Sequence, residues 1–271
     1  MNVHKSQLAG ISPAEARRKI RLGEWVWPTS GLSLGFAQAN LVILPESAAF
    51  DFLLFCQRNK KACPVIDVTA PGDPVPRLIA PESDIRTDLP LYRIYRNGAL
   101  EREVRDILEY WRHDLVAFLI GCSFSFEEAL IRSGVPIRHI ELGRNVPMYV
   151  TNRQCMPAGV FRGPLVVSMR PIPSHLVSKA ITITSRYPSV HGAPVHIGNP
   201  WTLGISDVSR PDFGDPVPIY EGEVPVFWAC GVTPQAVAMS SRPQFMITHA
   251  PGHMFITDVR NEELEEVVGG R

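Results

Sequence analysis

Two short strings place small and hydroxyl-bearing residues where an apolar segment gives way to a helix: Gly121-Cys122-Ser123-Phe124-Ser125 and Cys230-Gly231-Val232-Thr233. Each follows a run with the composition of a fully buried strand, Leu115 to Gly121 and Val224 to Cys230. Ser125 has Glu128 three residues on, the spacing of a capping box, and Thr233-Pro234 reads as an N-cap with a first-turn proline. A helix start offers N–H groups and the positive end of its dipole, so a carboxylate or phosphate suits such a spot. If both strands lie in one sheet, the two helix starts face one crevice, which suits a substrate with two carboxylates. A nucleophile elbow would read G-x-S-x-G, but here Ser125 stands where the second glycine belongs, and no triad partners follow in an identifiable order. Cys122 at a helix start is a candidate for a lowered pKa, although a small buried residue beneath the turn is the simpler reading.

The histidines supply acid–base candidates. His191, His196, His249 and His253 cluster late in the chain, in turns rich in Pro and Gly, and imidazole titrates near neutrality. As metal ligands they lack carboxylates at a recognised spacing, and Pro251-Gly252 forbids a helix between His249 and His253. Asp207, Asp212 and Asp215 punctuate a loop, where aspartate ordinarily caps turns; Asp207 or Asp215 could also orient a histidine. Arg170 ends an apolar run and Arg186 precedes His191. A buried guanidinium needs a partner, either a substrate carboxylate held by its fork or one of the loop aspartates. Asn152, near Gln154 and Cys155, could orient a substrate amine or carboxyl, with turn formation as the plainer account.

Composition narrows the classes. The 271 residues carry 27 basic and 27 acidic side chains with no basic stripe, which argues against a nucleic-acid partner. The five cysteines show no C-x-x-C spacing, so a structural zinc site is disfavoured and free thiols in a reducing, cytoplasmic setting are expected. The N-terminus lacks the apolar core of a signal peptide, and no run reaches membrane-spanning length. Neither G-x-G-x-x-G nor a phosphate loop is present, which is consistent with chemistry that needs no cofactor.

These residues need elements to hold them. Ser12-Pro13-Ala14-Glu15 starts a helix that Gly23 stops, and Ser47 to Lys60 forms a second. Pro64 to Val68 and Leu91 to Tyr95 read as strands, Asn97-Gly98 as a turn, and Glu101 to Trp111 as a helix with Val104, Ile107, Leu108 and Trp111 on one stripe. From Pro136 the texture shortens: strands over Pro147 to Thr151, Pro164 to Met169 and Pro194 to Ile197, with a helix over Ser174 to Thr184. The buried strand at Val224 and its helix follow, then two strands within Phe245 to Val259. The expected fold is α/β: a mixed, largely parallel sheet flanked by helices (residues 1–145 plus 226–271), with a smaller inserted α+β domain over 146–225.

Several longer strings, PMYVTNRQCMPAGVFRGPLVVSMRP, ITSRYPSVHGAPVHIG, EVPVFWACGVTPQ, THAPGHMFITD and FLIGCSFSFEEAL, resemble the D-glutamate cyclase-like family over nearly the whole chain. The resemblance implies a two-domain α/β fold and, from animal relatives, conversion of D-glutamate to 5-oxo-D-proline with loss of water; it brings no established catalytic residues. For that chemistry Arg170 and the helix start at Ser123 and Ser125 would hold carboxylates, and the Gly231 to Thr233 turn would supply backbone donors. A histidine among His191, His196, His249 and His253 would move protons, oriented by Asp207 or Asp215. Arg186 and Asn152 complete the expected substrate contacts. The partner is a small carboxylate or amino acid, with no membrane or nucleic acid; a homo-oligomer is compatible with it. The rivals are a metal-assisted lyase or hydratase using the late histidines and a non-catalytic binder of organic or amino acids.

Overall fold

The computed structural model describes residues 9–265; residues 1–8 of the N-terminal stretch read above lie outside them. Helix α1 (Pro13–Arg21) forms as its residues dictate: Ser12 Oγ accepts from Glu15 N at 3.2 Å, Pro13 opens the first turn, and Gly23, at φ +72°, follows its end. Next come β1 (Phe36–Pro45), α2 (Glu46–Arg58), β2 (Val65–Val68), β3 (Tyr92–Arg96), β4 (Ala99–Val104) and β5 (Leu115–Gly121). Helices α3 (Phe124–Arg132) and α4 (Arg138–Glu141) lead into β6 (Met148–Gln154), β7 (Pro164–Pro173), α5 (Val177–Ser185), β8 (His196–Ile197) and β9 (Glu223–Ala229). The described chain closes with α6 (Thr233–Ser241), β10 (Phe245–His249) and β11 (Phe255–Arg260).

The strands make two sheets, and every pairing in both is antiparallel. The first has seven strands in the order β2-β5-β1-β10-β3-β4, with β11 also on β1; the second is β6-β7-β9-β8. The fold is therefore mixed α/β, but the largely parallel sheet expected from sequence is not present. The reason is burial. One face of the large sheet packs Val42, Leu44, Phe118 and Ile120 against Phe52 and Phe55 of α2 and Phe161 of the β6–β7 connection. The other buries Leu41, Ile43, Ala117 and Leu119 beneath Ile79, Ile85 and Leu89. With both faces covered, β1 and β5 lose the polar alternation that marks a half-exposed antiparallel strand. Strand β9 belongs to the second sheet, so a boundary after residue 225 cuts through it.

A second correction concerns Glu101 to Trp111. Asn97 and Gly98 both take positive φ (50° and 80°), the two-residue hairpin turn that joins β3 to β4 with Arg96 opposite Ala99. Beyond β4 only a short 3₁₀ turn, Leu108–Tyr110, is helical. The caps at the two junctions also differ. Ser123, not Ser125, stands at the N-cap of α3, and Val232, not Thr233, at that of α6; neither makes a side-chain capping bond.

Candidate functional site

Strand β1 runs antiparallel to β5 with Asn40 opposite Ile120 and Ala39 opposite Gly121. The Asn40 carboxamide donates to the Gly121 carbonyl at 2.9 Å and the Ile120 carbonyl at 3.2 Å. Gly231 lies directly against it: a Cβ there would fall 2.0 Å from Asn40 Nδ2. The end of β5 and the start of α6 thus meet around one buried amide, but the strands preceding them belong to different sheets, so the single sheet on which the expected shared crevice depended is absent. Gly121 is as crowded on its other side, where a Cβ would lie 1.9 Å from the Ser189 carbonyl. That contact brings in the turn ending at His191, whose backbone is left-handed (φ 82°).

His191 is buried, and its Nδ1 lies 2.7 Å from the Lys61 carbonyl. An N–H at Nδ1 makes that bond and leaves Nε2 with the lone pair; Nε2 is buried and unpartnered. Burial pulls the imidazole down to about 4, against the Lys61 and Gly121 carbonyls and aided by the Arg170 charge. A neutral imidazole with a free lone pair is a proton acceptor.

Arg170 is fully buried. Its Nε and Nη2 donate to Glu127 Oε1, Nη2 also to Ser123 Oγ at 3.0 Å, and Nη1 to Ser168 Oγ at 3.1 Å. The rings of Phe126 and Trp228 stand 5.3 Å from the guanidinium. His139 Nε2 approaches the same Glu127 oxygen at 3.2 Å. Burial works to raise the Glu127 carboxyl, but His139 and Arg170 outweigh it and hold it below the ordinary range. Arg170 therefore has the internal partner that its burial demands, yet the partner is Glu127, not a loop aspartate. The sequence reading missed Glu127 and His139. The available signal was a carboxylate flanked by Phe126 and Leu130 on an otherwise apolar helix face.

The other expected residues are dispersed. Ser125 Oγ accepts from Gln38 N at 3.2 Å, and Thr233 Oγ1 donates to the Cys230 carbonyl and accepts from Val166 N. Asp207, Asp212 and Asp215 accept from Ser209 N, Val150 N and Asn145 N, the loop-capping role aspartate ordinarily has. None touches a histidine. Arg186 pairs with Glu265, and Asn152 packs under Gly204. His196 is held by the Asn199 carbonyl and Thr202; His253 lies 3.1 Å from the Pro251 carbonyl. His249 is buried, accepts from Leu41 N, and is pulled down to about 3, by burial first and by His253 and Arg93 further. The four histidines do not converge, and among the described residues no three His, Cys, Asp or Glu gather as metal ligands. Cys122 is buried and its thiol is pushed far up, chiefly by burial; Cys230 is raised to about 11 for the same reason. Neither is a ready thiolate nucleophile.

Next to this junction lies a cleft of about 490 Å³, lined by Arg58, Lys60, Lys61, Arg153, Cys155 and Ala229 among others, with no carboxylate in its wall. Arg58 donates to the Pro157 carbonyl, Lys61 to the Ala193 carbonyl at 2.8 Å and Arg153 to the Val195 carbonyl at 3.4 Å. Carbonyl dipoles steer these cations without neutralising them, so the cleft favours an anion. Burial lowers the Lys61 ammonium. Lys61 is also the link to the interior, since its carbonyl holds His191. Ala229 is the last residue of β9, two before Gly231.

Fold and cleft together describe a mixed α/β protein with a basic cleft that suits a small anion. A family model described as D-glutamate cyclase matches residues 116–258. The "Putative hydro-lyase" of Stutzerimonas stutzeri (strain A1501) is 65% identical over 254 residues, 94% of this chain and 96% of that protein. "Putative hydro-lyase YcsI" of Bacillus subtilis (strain 168) is 62% identical over 254 residues, 94% of this chain and 99% of its own length. A Geobacillus kaustophilus protein with the same hydro-lyase label is 62% identical over 256 residues, 94% and 97% of the two chains. The chain belongs to the D-glutamate cyclase family. Among its described residues, no helix is long and apolar enough to cross a membrane.

Proposed function

We propose that this chain is a hydro-lyase that interconverts D-glutamate and 5-oxo-D-proline, with the basic cleft as its substrate site. The observation that carries the reading is the cleft itself: four cations, no lining carboxylate, and the carbonyl of one wall residue fixing a neutral buried histidine. In cyclisation the amine nitrogen bonds to the γ-carboxyl carbon and a carbon–oxygen bond breaks. The ammonium loses two protons and the departing oxygen gains two, leaving as water. To Arg58, Lys61 and Arg153, which line the cleft, we assign the holding of the α-carboxylate and the polarising of the γ-carboxyl. The neutral His191 is the proton carrier we assign. Arg170, committed to Glu127 and two serines, frames the junction; the carboxylate grip first expected of it passes to the cleft cations.

The test is to incubate the purified protein with D-glutamate, L-glutamate and each enantiomer of 5-oxoproline and follow gain or loss of one water by mass. Interconversion of the D-compounds is the expected outcome. No conversion in either direction, with binding retained, would leave an acidic-ligand binder in place of the enzyme. Lys61→Ala and Arg153→Ala should each raise KM roughly 10- to 100-fold, the weight of one charge-assisted hydrogen bond of about 1.5–3 kcal/mol. An unchanged KM in both would remove the cleft from the reading.

A further inference from the structure

We infer that Asn40 is a positioning residue that locks the two strand-to-helix junctions together and sets the place of the His191 turn; its catalytic consequence rests on the function proposed above. Asn40 interrupts the apolar strand Phe36–Pro45 and is only 2% exposed. A carboxamide buried there is costly unless its bonds are made. Both of its N–H groups go to carbonyls at the very end of β5, Ile120 and Gly121. Its other side is closed by Gly231, whose absent Cβ would lie 2.0 Å from Nδ2, 2.2 Å from Cγ and 2.5 Å from Oδ1.

The contacts continue beyond the amide. Gly121 leaves no room between its Cα and the Ser189 carbonyl, and a Cβ would also lie 2.9 Å from Val190 Cγ1. The next residue is His191. Four segments distant in sequence are therefore stacked at backbone width: the α6 start, the Asn40 amide, the β5 end and the His191 turn. Neither glycine carries a side chain that could absorb a shift, so displacement of one layer moves the next. Ala229 in the cleft wall and Lys61, whose carbonyl holds His191, lie at the two ends of this stack. The stack sets the place of the His191 turn, whose imidazole the carbonyl of the cleft residue Lys61 also holds, and a small misplacement of a proton carrier costs up to about 100-fold in rate.

The experiment is a double-mutant cycle between positions 40 and 231, read by three observables. Gly231→Ala drives its methyl into the amide. Asn40→Ala removes the amide and makes room for that methyl. Asn40→Asp keeps the shape but loses the donors. Each single variant should lower kcat roughly 10- to 100-fold with KM within about twofold, because the cleft cations are untouched. Gly231→Ala should add little in the Asn40→Ala background, for the three atoms nearest its methyl, all of the Asn40 amide, are gone. By NMR, the His191 imidazole should stay neutral to about pH 4 in the parent. It should take up a proton at higher pH in Asn40→Ala, where the packing around it loosens with no charge added and Arg170 and Lys61 remain. Additive effects, or variants that lose stability while kcat and the His191 titration hold, would overturn the lock. If the parent protein turns over none of the substrates, the function reading fails. The lock is then decided by the His191 titration and by the same cycle measured in unfolding free energy.

Discussion

At the scale of single residues, the centre of the molecule is an ion pair held in place by its neighbours. Arg170 meets Glu127, two serine hydroxyls and two aromatic rings, and Glu127 also meets His139. Removing one partner from such a pair strands a buried charge, whereas removing both can be nearly neutral. Arg170→Met should therefore lower the unfolding free energy by about 3–5 kcal/mol in urea titrations. Combining it with Glu127→Leu should recover most of that loss; no recovery would mean that the pair is not the source of the effect. Cys122 makes the opposite case. Its thiol is buried and protonated, so Cys122→Ala should keep kcat within about threefold, a packing-sized change. A collapse of kcat in a folded Cys122→Ala protein would restore the nucleophile. The sequence made Arg170 and Ser123 visible because a guanidinium ending an apolar strand must bond to something. It hid Glu127, because a glutamate early in a helix is read as a favourable charge at the dipole and not as a buried partner.

At the scale of elements, local signals held and long-range ones did not. The Ser12-Pro13-Glu15 start of α1, the β5 run, the α5 helix and the two late strands stand where their residues indicated. Strand direction was illegible, since two-sided burial erases alternation in either direction of pairing. The stripe at Val104, Ile107 and Leu108 imitates a helix, yet Val104 is the last residue of β4 and Ile107 packs on the far side of the large sheet. The Asn97-Gly98 turn was the stronger signal, because two consecutive positive φ values commit the chain to a hairpin. The site was legible as a pair of junctions but not as a cleft, whose cations come from α2, the segment after it and β6. A prediction belongs here. Gly121→Ala places a methyl where the Ser189 carbonyl already is, and backbone cannot step aside as a side-chain tip can. We expect a melting temperature lower by several degrees, in line with a loss of about 1–3 kcal/mol from overpacking. A variant at Gly10, which like Gly121 has no positive φ and where a Cβ meets nothing within 4 Å, separates steric cost from backbone cost, because both share the loss of a glycine but only Gly121 is crowded. Equal effects at the two sites would show that crowding is not the cause.

At the scale of the whole molecule, charge is balanced in sum and uneven in place. The 27 cations and 27 anions cancel, and the surface carries ion pairs such as Arg112–Asp114 and Arg86–Asp84, while the cleft keeps its cations uncompensated. The interior holds the pH response. His191 and His249 are buried neutral, lowered to about 4 and about 3, while an unfolded chain protonates histidine near 6.5. Above about pH 6.5 neither state binds these protons, so they do not alter stability. Below it the unfolded chain binds protons that the folded chain refuses, so stability falls as pH falls and continues to do so until the folded pKa values are reached. For His191 alone the loss by pH 4 is on the order of 3 kcal/mol, and two such groups give a slope approaching roughly 2.7 kcal/mol per pH unit. Against a total of about 5–15 kcal/mol for a folded domain, that removes a large share of the stability by about pH 4. Glu127, held low by His139 and Arg170, adds its own loss only at lower pH. Urea midpoints measured from about pH 8 down to about pH 4.5 should be level above about pH 6.5 and fall below it. His249→Gln should flatten that fall, since glutamine fills similar space and binds no proton. A midpoint that stays level to about pH 4.5 would mean that these imidazoles accept protons in the folded protein. It would also remove the neutral His191 on which the proposed proton transfer depends.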